Sequence, residues 1–154
     1  MLAPTFRAAE LADVDLLLAY VQEFYALDAI GIRFDEPVVR RRLTDLIKDP
    51  GLGRVWLIVD DGEPIGYLVL TFGYSLEYGR DAMLDELFIR PSHRGRGVGT
   101  AVMLFLEATC RDLGVGAVHL EVGNQNDAAR NLYRKADFAI HGTDFMTKWI
   151  TPPP

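Results

Sequence analysis

The chain has 154 residues, one domain's length, and its 49% hydrophobic and 25% charged residues suffice for an ordinary globular core. A net charge of -6 is poorly suited to coating nucleic acid, and no apolar run approaches the ~20 residues of a membrane-spanning helix. The single cysteine, Cys110, excludes an internal disulfide and a cysteine-rich metal site, and the three histidines, His93, His119 and His141, lack ligand spacing.

The first stretch, "MLAPTFRAAELADVD", carries an early proline and acids rather than a basic and then apolar leader, so a cytoplasmic protein is expected. "TFRAAE" reads as a first strand. "LADVDLLLAYVQEFYALDAIG" follows with Leu11, Val14, Leu17, Leu18, Val21, Phe24, Tyr25 and Leu27 at helical spacing, ending at Gly31. "FDEPVVRRRLTDLIKDPG" is a second helix, with Asp35 as N-cap, Pro37 in the first turn, and Val39, Leu43, Leu46 and Ile47 as its buried stripe. "RVWLIVDDGEPIGYLVLTFG" is two β-rich runs about a hairpin signal, "DDGE", and "AMLDELFIR" is another strand.

A glycine-rich loop, "RPSHRGRG", then opens a helix that runs to about Leu113, with Val98, Val102, Phe105 and Thr109 on one face and Gly114 just past its end. Cys110 lies in this helix and reads as a small core residue. "GAVHLEV" is a strand, "NDAARNLYRKADF" a last helix, and "FAIHGTDFMTKWI" a closing pair of strands. The order is βααβββαβαββ: a single α/β domain over residues 1–150, a mixed sheet flanked by helices on both faces, with a disordered Pro-rich tail at 151–154. The strand–loop–helix–strand unit at 84–122 would be a right-handed crossover between parallel strands.

A strand, a glycine loop and a helix mouth together make an anion cradle. The first N–H groups of a helix have no internal partner, the helix dipole adds positive charge there, and glycine lets a phosphate reach the backbone. Arg94 and Arg96 can add charged donors. A phosphate-bearing ligand is expected, a pyrophosphate above all. A Walker loop would need a lysine that is missing. A dinucleotide fingerprint starting at Gly95 would need its third glycine at Thr100, and one starting at Gly97 would need it at Val102. The bland reading of the loop is a tight strand-to-helix turn.

Arg94-x-x-Gly97-x-Gly99 after "LDELFIRPSH" resembles the acetyl-CoA-binding motif of the GNAT superfamily, the Gcn5-related N-acetyltransferases. "LEVGNQNDAARNLYRKADF" resembles that family's second signature, an asparagine followed by a helix that carries a tyrosine. The element order matches over nearly the whole chain. Asp137 stands where members often have glycine, in a left-handed turn that Asp tolerates better than most residues.

The resemblance implies acetyl-CoA as co-substrate and a primary amine as acceptor, on a small molecule or a peptide or protein. The pyrophosphate would lie on the backbone of Arg94, Gly95, Arg96, Gly97, Val98, Gly99 and Thr100. The pantetheine arm would run along Leu87, Phe88 and Ile89. Asn126 would touch the cofactor arm, or simply cap its helix. Tyr133 would return a proton to the leaving thiolate, a phenol being protonated at pH 7 with its ordinary pKa of about 10. As an unaided reading, Tyr133 is a half-buried aromatic.

Asp85, Glu86 and Glu121 compete as general base, and a water relay would replace all three. Asp85 matches the position used by small-amine members, and Glu121 one used by some peptide and protein acetyltransferases. Asp85 and Glu86 are neighbours on one strand, so they should point to opposite faces. His119 would share a strand face with Glu121. The acceptor pocket would draw on Phe24, Tyr25, Phe34, Phe72, Tyr74 and Tyr78 with Asp28, Asp35, Glu36, Glu77 and Asp81. Two other readings stay open: a CoA-binding sensor or partner domain without turnover, and an acyltransferase for a longer acyl-CoA. A homodimer through the C-terminal strands, with Phe145 and Trp149, is a family-level expectation.

Overall fold

The computed structural model describes residues 3–27 and 33–151. Strand β1 (Thr5–Ala8) leads through a 3-10 turn into α1 (Val14–Leu27), and α2 (Glu36–Lys48) follows. Asp35 caps α2, its carboxylate accepting from the Val38 amide at 3.2 Å, with Pro37 in the first turn as expected. Gly31 and Asp28 lie outside the described residues.

Strands β2 (Gly53–Asp60), β3 (Glu63–Ser75) and β4 (Gly79–Ile89) form an antiparallel meander. The β2–β3 turn places Asp61 and Gly62 at φ of 47° and 81°, the two left-handed residues that a tight hairpin turn requires. Helix α3 (Val98–Asp112), β5 (Ala117–His119) and α4 (Asp127–Lys135) complete the regular elements. The sheet order is β1-β2-β3-β4-β5, antiparallel throughout except for the parallel β4–β5 pair that the α3 crossover demands.

Alternation along the strands divides the core in two. Leu57, Tyr67, Val69 and Phe88 meet Leu17, Leu18 and Val21 of α1 and Leu43 of α2 on one face. Ile58, Leu68, Leu70 and Leu84 meet Val98, Val102, Met103, Leu106 and Cys110 of α3 on the other. The helices thus lie on both faces, and Cys110 is a buried core residue.

The closing pair of strands expected in "FAIHGTDFMTKWI" is not formed. Residues 138–150 hold no strand, and every residue from 139 to 151 is exposed. A strand needs an edge to pair with, and β5 offers only three residues, registered with β4 at Asp81, Ala82 and Met83. The segment also lacks a period of two: Phe145–Met146 and Trp149–Ile150 are adjacent apolar pairs. Phe145 and Trp149 are exposed, and the strands that would have carried a dimer contact are missing. The Pro-rich tail beyond residue 151 lies outside the described residues.

Candidate active site

The glycine loop enters α3 through a 3-10 turn at Pro91–His93. Gly95 and Gly97 adopt φ of 73° and 83°, and among the described residues nothing beyond the immediate chain neighbours lies within 4 Å of where a Cβ would stand on either. Gly97 is the N-cap of α3 and has no side chain to cap with. The first backbone bond of the helix runs from the Ala101 amide to the Gly97 carbonyl at 3.1 Å. The amides of Val98, Gly99 and Thr100 therefore stand at an uncapped helix mouth, where N–H groups and the helix dipole favour an anion. Open space over naked backbone fits a pyrophosphate.

Two loop residues also have structural roles that the sequence did not suggest. A Cβ on Gly99 would come within 2.9 Å of the Leu132 side chain, so Gly99 is small to let α4 close on α3. Arg94 donates from Nε to the Ile89 carbonyl at 2.7 Å, tying the loop to the end of β4. One of the backbone groups expected to hold a pantetheine arm thus already has a partner, and the remaining N–H groups of Arg94 lie in an exposed side chain. Arg96 and Thr100 are exposed at the mouth itself.

Beside this mouth, β4 and β5 part. Their pairing covers 81–83 only, so among the described residues the β4 edge from Leu84 through Leu87 and Ile89 has no strand partner on that side. At the point of parting, β4 carries a bulge. Leu70 faces Leu84 and Val69 faces Glu86, leaving Asp85 as the extra residue. The bulge breaks the simple alternation expected for the two carboxylates. Leu84 packs on the α3 side, yet Glu86 turns to the α1–α2 side.

Glu86 is partly buried and held by two phenols. Tyr25 of α1 donates to Oε1 at 2.8 Å, and Tyr67 of β3 donates to Oε2 at 2.5 Å. Burial pushes the Glu86 carboxyl up, the two phenol bonds pull it down, and the charge of Asp85 pushes it up again. Burial beside this carboxylate in turn raises both phenols, so each keeps its proton to donate. Asp85 is exposed, and among the described residues nothing hydrogen-bonds to its side chain. Burial of part of the carboxyl against the surrounding protein pushes it up.

The other candidates divide. Glu121 is exposed and follows the end of β5, so it does not share a strand face with His119. His119 instead faces Asp81 (Nε2 to Oδ2, 3.6 Å) and stacks edge-on with Tyr78 at 4.8 Å. Asn126 caps α4, accepting from the Ala129 amide at 3.1 Å. Tyr133 sits partly buried on α4, against the α3 side of the core, with its ring 5.7 Å from Phe138. Phe138 reaches it because Asp137 takes φ of 63° and the Phe138 amide bonds back to the Tyr133 carbonyl at 3.0 Å. The left-handed turn expected at Asp137 is therefore present.

Most of the proposed acceptor residues have structural work. Phe24, Tyr25 and Phe34 pack against the α1–α2 core, Asp35 is a cap, Glu36 pairs with Arg40, and Arg80 lies over the Phe72 ring at 5.0 Å. Tyr67 was invisible as a site residue in the sequence. Ordinary alternation from Ala82 and Leu84 sets Glu86 on the opposite face from Tyr67, and only the bulge brings them together.

The Acetyltransferase (GNAT) family description matches residues 18–138. The chain belongs to the GNAT family. Members of this family take their acetyl group from acetyl-CoA. A solved integron cassette protein from the Cole Harbour salt marsh metagenome superposes with a TM-score of 0.84 at 34% identity, covering 96% of this chain and 91% of that one. A possible acetyltransferase from Clostridium difficile 630 shares the fold, with a TM-score of 0.84 at 14% identity over 98% of this chain and all of that one.

Among similar proteins, thialysine N-epsilon-acetyltransferase of Mus musculus is 28% identical over 81% of this chain and 70% of its own length. Streptothricin acetyltransferase of Streptomyces lavendulae is 30% identical over 54% of this chain, a stretch that spans only 43% of that protein. Among the described residues no helix is long and apolar enough to cross a membrane, and no cluster of three metal-ligating side chains occurs.

Proposed function

We propose that the protein transfers an acetyl group from acetyl-CoA directly to a primary amine. The observation that carries this reading is the parting of β4 from β5 beside the uncapped mouth of α3, with Asp85 bulged out where the strands separate. Acetyl-CoA supplies the activated acetyl thioester. The loop from Arg94 to Thr100 binds its pyrophosphate, and the free β4 edge aligns its arm.

Asp85 is the proton acceptor in this scheme. No side chain among the described residues donates to its oxygens, whereas each Glu86 oxygen already accepts one phenol and Glu121 lies past the end of β5. Tyr133 holds the proton that a departing thiolate requires. The names of the thialysine and streptothricin relatives favour a small molecule over a protein as acceptor.

Thermal unfolding with acetyl-CoA, CoA, NAD and ATP in parallel tests the binding step. A ligand at about 100 times its Kd should add about 2.7 kcal/mol. Stabilisation by the two CoA species alone is the expected result, and none by either would remove the reading. An amine panel assayed for free thiol then tests turnover. Asp85→Asn should lower kcat by about 100-fold or more with CoA affinity retained. CoA binding without turnover on any amine would instead favour a sensor domain.

A further inference from the structure

The α1–α2 face of the sheet carries a group that the transfer scheme leaves unused. Glu86 has one phenol on each carboxylate oxygen, and the phenols come from different elements: Tyr25 from near the end of α1 and Tyr67 from the middle of β3. Tyr67 is fully buried, with its ring packed at 5.9 Å from Phe88, so its hydroxyl cannot move far from Glu86. Glu86 itself keeps partial access to solvent. A packed core has little reason to place a carboxylate here, because burying a charge is costly even when it is hydrogen-bonded.

Geometry limits what this carboxylate can do. Each of its oxygens can accept two hydrogen bonds, so each retains one open lone-pair direction after its phenol is counted. Glu86 is one residue from Asp85 and lies on the sheet face opposite α3, whose mouth forms the anion cradle. A negative group on one face and an anion-binding mouth on the other sort two substrates by charge. We propose that Tyr25 and Tyr67 are positioning residues that hold Glu86 as a fixed anion for the acceptor, so that the site takes up its amine as the ammonium cation. The inference rests on the acetyl-transfer reading for the identity of the acceptor, but not for the clamp itself.

The clamp's pH behaviour follows from the groups that face Glu86. These are Asp85 beside it on β4, Tyr67 on β3 and Tyr25 on α1, with Arg42 of α2 acting on Tyr25. The phenols donate to the ionised carboxyl and so favour it. Removing either hydroxyl disfavours the charged form, and the Glu86 midpoint must rise. The acid limb of kcat/KM for the acceptor should then move to higher pH.

The test uses Tyr25→Phe and Tyr67→Phe, which keep the rings and remove only the hydroxyls, with Glu86→Gln as the reference. The Glu86 side-chain carboxyl is followed by carbon-13 NMR during a pH titration and during addition of n-butylammonium. The proposal expects a higher Glu86 midpoint in both phenylalanine variants. It expects n-butylammonium to perturb the Glu86 resonance in the wild type, with affinity about fivefold weaker in each variant, as for loss of one hydrogen bond. In turnover, the acceptor KM should rise in all three variants, most in Glu86→Gln, with kcat and CoA affinity little changed in the two phenylalanine variants.

An unmoved midpoint, or no response of Glu86 to n-butylammonium, overturns the proposal even if the variants lose thermal stability. Failure of the acetyl-transfer reading shows separately, as absence of stabilisation by acetyl-CoA.

Discussion

Asp137 is a residue whose conformation works against its chemistry. It sits at φ of 63°, the left-handed turn that ends α4, where a Cβ is crowded and glycine is at ease. The turn is held because the Phe138 amide returns to the Tyr133 carbonyl and the two rings pack at 5.7 Å. The strain therefore supports the ring that is proposed to hold the proton. Asp137→Gly should relieve it and raise stability by about 0.5–1 kcal/mol, less whatever glycine adds to the freedom of the unfolded chain. Urea unfolding would register this as a higher midpoint at unchanged slope. A lower midpoint would mean that the Asp137 side chain makes a stabilising contact of its own in solution.

At the scale of elements, α4 is the weakest part of the site. It has nine residues and no fully buried side chain, and meets α3 where Gly99 admits Leu132. A helix this short depends on its ends. Asn126 closes one end through its bond to Ala129, and the left-handed turn closes the other. Asn126→Ala should cost about 1 kcal/mol and lower Tm by about 2–4 °C in a chain of this size. If Asn126 serves only as a cap, CoA affinity measured well below Tm should be unchanged; a tenfold loss would give it a contact with the cofactor as well.

What the sequence disclosed follows the same division. Both caps, the hairpin turn, the glycine loop and the two-sided core were legible, because each depends on neighbours in the chain. The β4 bulge was not, because Asp85 is displaced by its pairing with β3, and pairing across strands leaves no local signature. With the bulge hidden, so was the Tyr25–Glu86–Tyr67 cluster. The apolar residues near the C-terminus suggested strands, but strand propensity is a preference that only a partner edge can realise.

Taken as a whole, the molecule draws its stability from two cores pressed against one sheet, and the C-terminal segment belongs to neither. The last residues that pack on the α3 side are Ala136 and Phe138. Beyond them Ile140, Phe145, Met146, Trp149 and Ile150 are all more than half exposed. Ending the chain after Phe138 therefore subtracts no side chain from either cluster as described, and the truncated chain should unfold cooperatively with Tm within about 3 °C of the full chain, a change of roughly 1 kcal/mol or less. Leu57→Ala marks the opposite extreme. Leu57 is fully buried on β2 against α1 and α2, and its truncation should cost about 2–5 kcal/mol. The shortened chain should also associate less at high concentration, because an exposed apolar stretch of this size is an association surface. Calorimetry and light scattering on the three proteins decide the matter together. A large fall in Tm on truncation, comparable with that of Leu57→Ala, would mean that the segment packs against the sheet in solution and that the domain's second half is built from more than α3, β5 and α4.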